Sequence, residues 1–145
     1  MTTVTSSPDP TATATPDADP PDVVGRFLAS VAAGAGIPAD LYADDARLDA
    51  TVPNWRFTTV GADAVSTEYG HWFADTGAFE ELERRPVEGG EVVSYVLTWE
   101  EGGVPFAAHH CHVLTVADDR ITADTVFCGG RWDATLLAQM AEAGS

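Results

Sequence analysis

Three of the chain's four histidines fall within four consecutive residues, His109-His110-Cys111-His112. The segment around them has the composition of a β-strand. Side chains alternate along a strand, so His110 and His112 share one face while His109 and Cys111 share the other. Imidazole is the side chain whose ordinary pKa lies nearest neutrality. Two on one face could donate a proton, accept one or bind a metal. The acidic turn Asp118-Asp119 follows, and then a second run carrying Asp124. A carboxylate across a hairpin from an imidazole is the smallest arrangement that orients an acid–base group. The plain alternative is a polar strip on an exposed sheet.

These residues must be held by a domain, and the composition permits one. The 145 residues are 45% apolar, enough for a single core. The net charge is −16, with 23 acidic residues against seven arginines and no lysine. Such a surface repels phosphate backbones and anionic lipid, which argues against nucleic-acid and membrane roles. No apolar run approaches membrane-spanning length, and the N-terminal stretch lacks the pattern of a secretory signal. Cys111 and Cys128 are too few for a disulfide scaffold, so the simplest expected location is the cytoplasm with both thiols reduced.

Residues 1–20 are mostly Thr, Ala, Pro, Asp and Ser, with little to bury, and are expected to form a disordered tail. One domain is expected over 21–145. Asp22 reads as an N-cap before Val23, Val24, Phe27, Leu28 and Val31 at helical spacing, with Gly34 and Gly36 ending the helix. Pro38 predicts a short second helix to Tyr42, and Arg47 to Val52 a first strand broken by Pro53-Asn54-Trp55. A third helix should follow Gly61, with Val65, Tyr69, Trp72 and Phe73 on one side. Alternation then predicts strands over Phe79 to Val87, Val92 to Trp99, Val104 to Val116 and Arg120 to Cys128. Gly129-Gly130 should open a final helix capped by Asp133. Helices first and an antiparallel meander afterwards indicate an α+β fold, with helices on one face of a curved sheet.

This element order, with the turn Tyr42-Ala43-Asp44-Asp45-Ala46, resembles the nuclear transport factor 2 superfamily. That group includes ketosteroid isomerases, limonene-epoxide hydrolases, scytalone dehydratases and SnoaL-type polyketide cyclases. The likeness runs from about Asp22 to the C-terminus. It implies a cone-shaped sheet wrapped around three N-terminal helices with an apolar pocket at the open end, a homodimer, and chemistry without metal or cofactor. Fold does not fix function, so the site is judged residue by residue. Against ketosteroid isomerase, the oxyanion tyrosine falls on Phe27, which has no hydroxyl. The general-base aspartate falls on Ala50, with Asp49 one residue early and facing the other way. The third polar group falls on His112. Steroid isomerisation by that mechanism is therefore rejected.

The resemblance also makes His112 pocket-facing and puts Asp124, Val126 and Cys128 on the pocket wall. A plain two-residue turn at Asp118-Asp119 would instead pair His112 with Thr125 and turn Asp124 outward. The implied arrangement needs a bulge near the start of the last strand. The resulting reading is a SnoaL-like cyclase, dehydratase or isomerase acting on a small apolar carbonyl or hydroxyl compound. His112 is its central proton-transfer group, Asp124 the orienting carboxylate and His110 an auxiliary. Phe27, Ala50, Trp55, Tyr69, Trp72, Tyr95, Val126 and Cys128 form the substrate-binding wall. Two further readings stand beside it. One is a non-catalytic binder or dimeric interaction module. The other is a metal site on His110 and His112, with Asp124 or Cys128 as third ligand. His71 and the Arg131-Trp132 pair read as packing or anchoring residues.

Overall fold

A computed structural model describes residues 22–144; the tail expected over 1–20 lies outside them. Helix α1 spans Val23–Ala33. The Asp22 side chain accepts from the amide of Gly25 at 2.7 Å, satisfying one of the helix's free N–H groups. Gly34 ends the helix in a left-handed conformation, with φ of 67°. Val23, Val24, Phe27, Leu28 and Val31 are all buried, as their spacing predicts. The expected second helix is a single 3-10 turn, Ala39–Leu41. Helix α2, Ala62–Trp72, lays Val65 and Tyr69 into the same core.

Six strands form one sheet in the order β2-β1-β6-β5-β4-β3. They are β1 (Tyr42–Val52), β2 (Trp55–Val60), β3 (Gly77–Val87), β4 (Gly90–Glu101), β5 (Val104–Ala117) and β6 (Arg120–Asp133). Every neighbouring pair is antiparallel except β1 with β6. Helix α3, Ala134–Ala143, follows, with Asp133 accepting from the Leu136 amide at 2.9 Å. Among the described residues no helix is long and apolar enough to cross a membrane.

Three sequence expectations need correction. Pro53-Asn54 does not merely break β1. Asn54 adopts a φ of 64° and turns the chain into β2, which pairs Trp55 with Val52. The strand β1 begins at Tyr42 rather than Arg47, because the Tyr-Ala-Asp-Asp-Ala segment is an irregular stretch of strand. Gly129-Gly130 does not open the last helix. The two glycines form a bulge opposite His109, with Gly130 at φ of 111°, and β6 continues to Asp133.

A second irregularity in β6 decides which side chains face the core. Asp118 and Asp119, both with positive φ, make the tight turn between β5 and β6, and Val116 pairs with Ile121. The next pair is Thr115 with Ala123, so Thr122 is an extra residue. Its hydroxyl donates to the carbonyl of Thr115 at 3.2 Å, giving that oxygen a partner at the irregularity. Beyond this bulge His112 lies opposite Val126, and Asp124 faces inward.

Candidate active site

The inner faces of β4, β5 and β6 carry the polar residues of the interior, and α2 closes over them. Tyr95 on β4 is directly opposite His110 on β5 and diagonal to His112. Asp124 on β6 is opposite Leu114 and therefore diagonal to His112. These placements produce a continuous hydrogen-bonded chain. Tyr69 Oη donates to Asp124 Oδ2 at 2.5 Å. His112 Nδ1 lies 3.1 Å from Asp124 Oδ1, and His112 Nε2 lies 2.9 Å from Tyr95 Oη. Tyr95 Oη in turn lies 3.0 Å from His110 Nδ1. Every member is buried, with His110 the most exposed at 4%. Partners of this kind are what a buried polar group needs to offset lost hydration.

Aromatic rings fix the imidazoles. Phe27 stands edge-on to His112 at 5.3 Å between ring centroids, and Tyr95 stacks on it at 5.6 Å. Trp72 and Phe73 flank His110 at 5.6 and 5.7 Å. The hydroxyls of Tyr69 and Tyr95 are held well above the usual phenol range, first by burial and then by the Asp124 charge, so both remain protonated donors. The buried Tyr42 hydroxyl is raised by the same two causes. Among the described residues it is a buried polar atom without a partner.

His110 ends the chain at a cavity of about 640 Å³, within the range that holds a drug-sized molecule. Trp72, Leu97, Trp99, Ala108 and Cys128 supply its apolar walls, and Val52 and Pro53 close one side. His71, Asp75, Glu101 and Arg131 are its other polar residues. Arg131 pairs with Glu101, which also accepts from Trp99 Nε1 at 2.8 Å, and its guanidinium lies 4.9 Å from the Phe106 ring centre. The Cys128 thiol accepts from the Gly130 amide at 3.3 Å but is raised by burial, so it is no ready thiolate.

The site differs from the sequence reading in depth. His112, expected at the pocket, is wholly buried, with Phe27 and Tyr69 packed against its ring; His110 is the imidazole that reaches the cavity. Of the expected wall, Trp72 and Cys128 line this cavity. Phe27, Ala50, Tyr69, Tyr95 and Val126 belong to the packed core around the hydrogen-bonded chain. Trp55 is misplaced: it is 69% exposed on edge strand β2. Asp49 faces away, as expected, and pairs with Arg56 at 2.7 Å. Leu97, Trp99 and Ala108 were missed as lining residues, although two-residue alternation from Tyr95 and His110 reaches each of them. No group of three or more His, Cys, Asp or Glu side chains converges in a metal-binding arrangement among the described residues.

Burial, followed by the neighbouring His112 and His109, pushes the His110 pKa from 6.5 down to about 3. His110 is therefore neutral in the folded protein, whereas the unfolded chain protonates it near its ordinary value. Between those limits the unfolded state binds more protons, so this group lowers stability as pH falls from about 7 towards 4. Urea midpoints measured across that range should fall less steeply in His110→Gln than in the native chain. Parallel slopes would show that His110 is not held neutral.

No protein-family model matches the chain, and no curated protein matches it significantly. Solved structures do. A protein of ketosteroid isomerase-like fold from Catenulispora acidiphila, solved with trimethylamine, shares 16% identity at a TM-score of 0.59, over 75% of this chain and 86% of that one. A candidate isomerase from Rhodopseudomonas palustris gives 16% and 0.56, over 83% and 96%. A nuclear transport factor 2-like protein from Burkholderia xenovorans gives 16% and 0.55, over 81% and 91%. At this identity the likeness concerns architecture: the chain has the α+β nuclear transport factor 2-like fold.

Proposed function

We propose that this chain is a small-molecule acid–base enzyme of the isomerase, dehydratase or cyclase type, working without metal or cofactor on a largely apolar carbonyl or hydroxyl compound. The observation that carries the reading is the end of the hydrogen-bonded chain. His110 Nδ1 is engaged by Tyr95, while His110 lines the cavity with Nε2 free of any protein partner among the described residues. A positioned imidazole with its remaining nitrogen turned to a ligand-sized cavity suits proton transfer to or from a bound compound. The SnoaL-like subtype is the form that the sequence resemblance favours. The net charge of −16 disfavours anionic substrates.

A panel of cyclic ketones and β-hydroxy ketones incubated with the protein in D2O tests the reading. Protein-dependent exchange of the α-protons, or loss of water, is expected for at least one compound and should vanish in His110→Gln. Tight binding without exchange or turnover across the panel would favour the non-catalytic binding module instead.

A homodimer is part of the same reading. The outer sheet face carries an apolar strip in which Phe127, 50% exposed, lies opposite Cys111, with Val113 41% exposed beside them. Sedimentation should give twice the chain mass for the native protein and the chain mass for Phe127→Asp. A native monomer would remove the dimer from the reading.

A further inference from the structure

We propose that the Tyr69–Asp124–His112–Tyr95–His110 chain is a directional proton wire. In its resting state it holds His110 as the Nδ1–H tautomer, so the cavity meets a bare Nε2 lone pair and the site takes a neutral, proton-donating substrate. This inference deepens the acid–base reading by naming the substrate class and what lies behind the cavity-facing nitrogen.

With one proton on each imidazole at rest, the direction follows from the donor and acceptor capacities of the five groups. A carboxylate can only accept, and Asp124 receives the Tyr69 hydroxyl proton on Oδ2. Its other close partner, His112 Nδ1, must then be the donor. A neutral imidazole with Nδ1 protonated has a bare Nε2, which accepts from Tyr95 Oη. The single Tyr95 proton is thereby committed, and its oxygen can only accept from His110 Nδ1. The His110 proton is on Nδ1, and Nε2 is left with a lone pair. No water is needed to complete the circuit, because each link is a direct contact between side chains.

The wire also explains how a histidine that resists charge can act as a base. When a substrate X–H gives its proton to His110 Nε2, the Nδ1 proton passes to Tyr95 Oη. The Tyr95 proton passes to His112 Nε2. The products are X⁻, a neutral His110 now protonated on Nε2, and a His112 imidazolium beside the Asp124 carboxylate. One proton enters and one positive charge appears, two residues deeper than the point of entry. His110 then offers an N–H to the same cavity. Reversal of the wire returns the proton to a different atom of the bound anion, or to a leaving hydroxyl. A single residue thus serves as base and then as acid, which suits isomerisation or dehydration.

The test reads the tautomers directly, without a substrate. Two-dimensional ¹H–¹⁵N spectra of the imidazoles, assigned by loss of signals in His110→Gln, should show His110 and His112 each protonated on Nδ1 and bare on Nε2. In Asp124→Asn the amide oxygen can still accept from Tyr69 while its NH2 donates to His112 Nδ1. Every bond beyond it should reverse, and His110 should become Nε2–H. Adding Tyr95→Phe should cut that dependence, so that Tyr95→Phe and Tyr95→Phe/Asp124→Asn give the same His110 tautomer. Nε2–H on His110 in the native protein would overturn the wire. So would a His110 tautomer unmoved by Asp124→Asn. The spectra do not depend on turnover: correct tautomers with no proton exchange on any ketone would count against the enzyme reading alone.

Discussion

His110→Gln is expected to lower turnover on the true substrate by roughly 100- to 10,000-fold, the usual worth of one general acid–base group. Glutamine keeps polarity and approximate size but cannot accept a proton near neutrality. Affinity should change much less, because Trp72, Leu97, Trp99 and Ala108 supply most of the cavity's apolar wall. The fall should therefore appear in kcat and in kcat/KM by similar factors, the signature of an interaction made mainly in the transition state. The test is steady-state kinetics on folded variants, with circular dichroism to confirm folding. A rise in KM at constant kcat would reassign His110 to uniform ligand binding. His112→Gln should also slow turnover, through the Tyr95 bridge rather than by contact with the substrate.

The largest expected loss of stability is in Asp124→Ala. The carboxylate is 2% exposed and holds both the Tyr69 hydroxyl and His112 Nδ1. Its removal leaves two buried donors without partners, at about 1–3 kcal/mol each. Asp124→Asn keeps one acceptor and one polar contact and should cost clearly less. Chemical denaturation of the two variants beside the native chain measures the difference. Equal and small losses, under about 1 kcal/mol, would mean that the interior does not depend on this carboxylate.

The polar interior was legible in the sequence to the extent that strand alternation could carry it. Alternation alone turned His110 and His112 to one side, and helical spacing buried the Phe27 and Tyr69 faces. Asp124 was different. Counting back from a tight turn directed it outward, and only the resemblance required the bulge that Thr122 supplies. Depth was not legible at all. Which imidazole meets the cavity depends on where the helices sit over the sheet, and here Phe27 and Tyr69 cover His112 while His110 is left at the edge. Residue type also misled at Trp55. A large aromatic suggests burial, but this one follows a two-residue turn onto an edge strand, where little lies over it. Tyr95 and Tyr69 were expected as wall residues because an aromatic ring is visible in a sequence, whereas its hydroxyl's partner is a property of register.

Thr122 makes the site depend on counting. Every inward-facing residue of β6 beyond the bulge, from Asp124 through Val126, keeps its orientation because one additional residue between Ile121 and Ala123 is left out of the ladder. Were Thr122 drawn into a regular ladder instead, the polar Thr125 and the outward Phe127 would come into phase with the interior and the carboxylate would turn to the opposite side. Every side chain of the strand would be kept in that register, yet the odd–even order of the strand would be inverted and the chemistry with it. The same histidines and the same aspartate can therefore support or lose the site according to whether one residue between Arg120 and Asp124 sits inside the ladder or outside it.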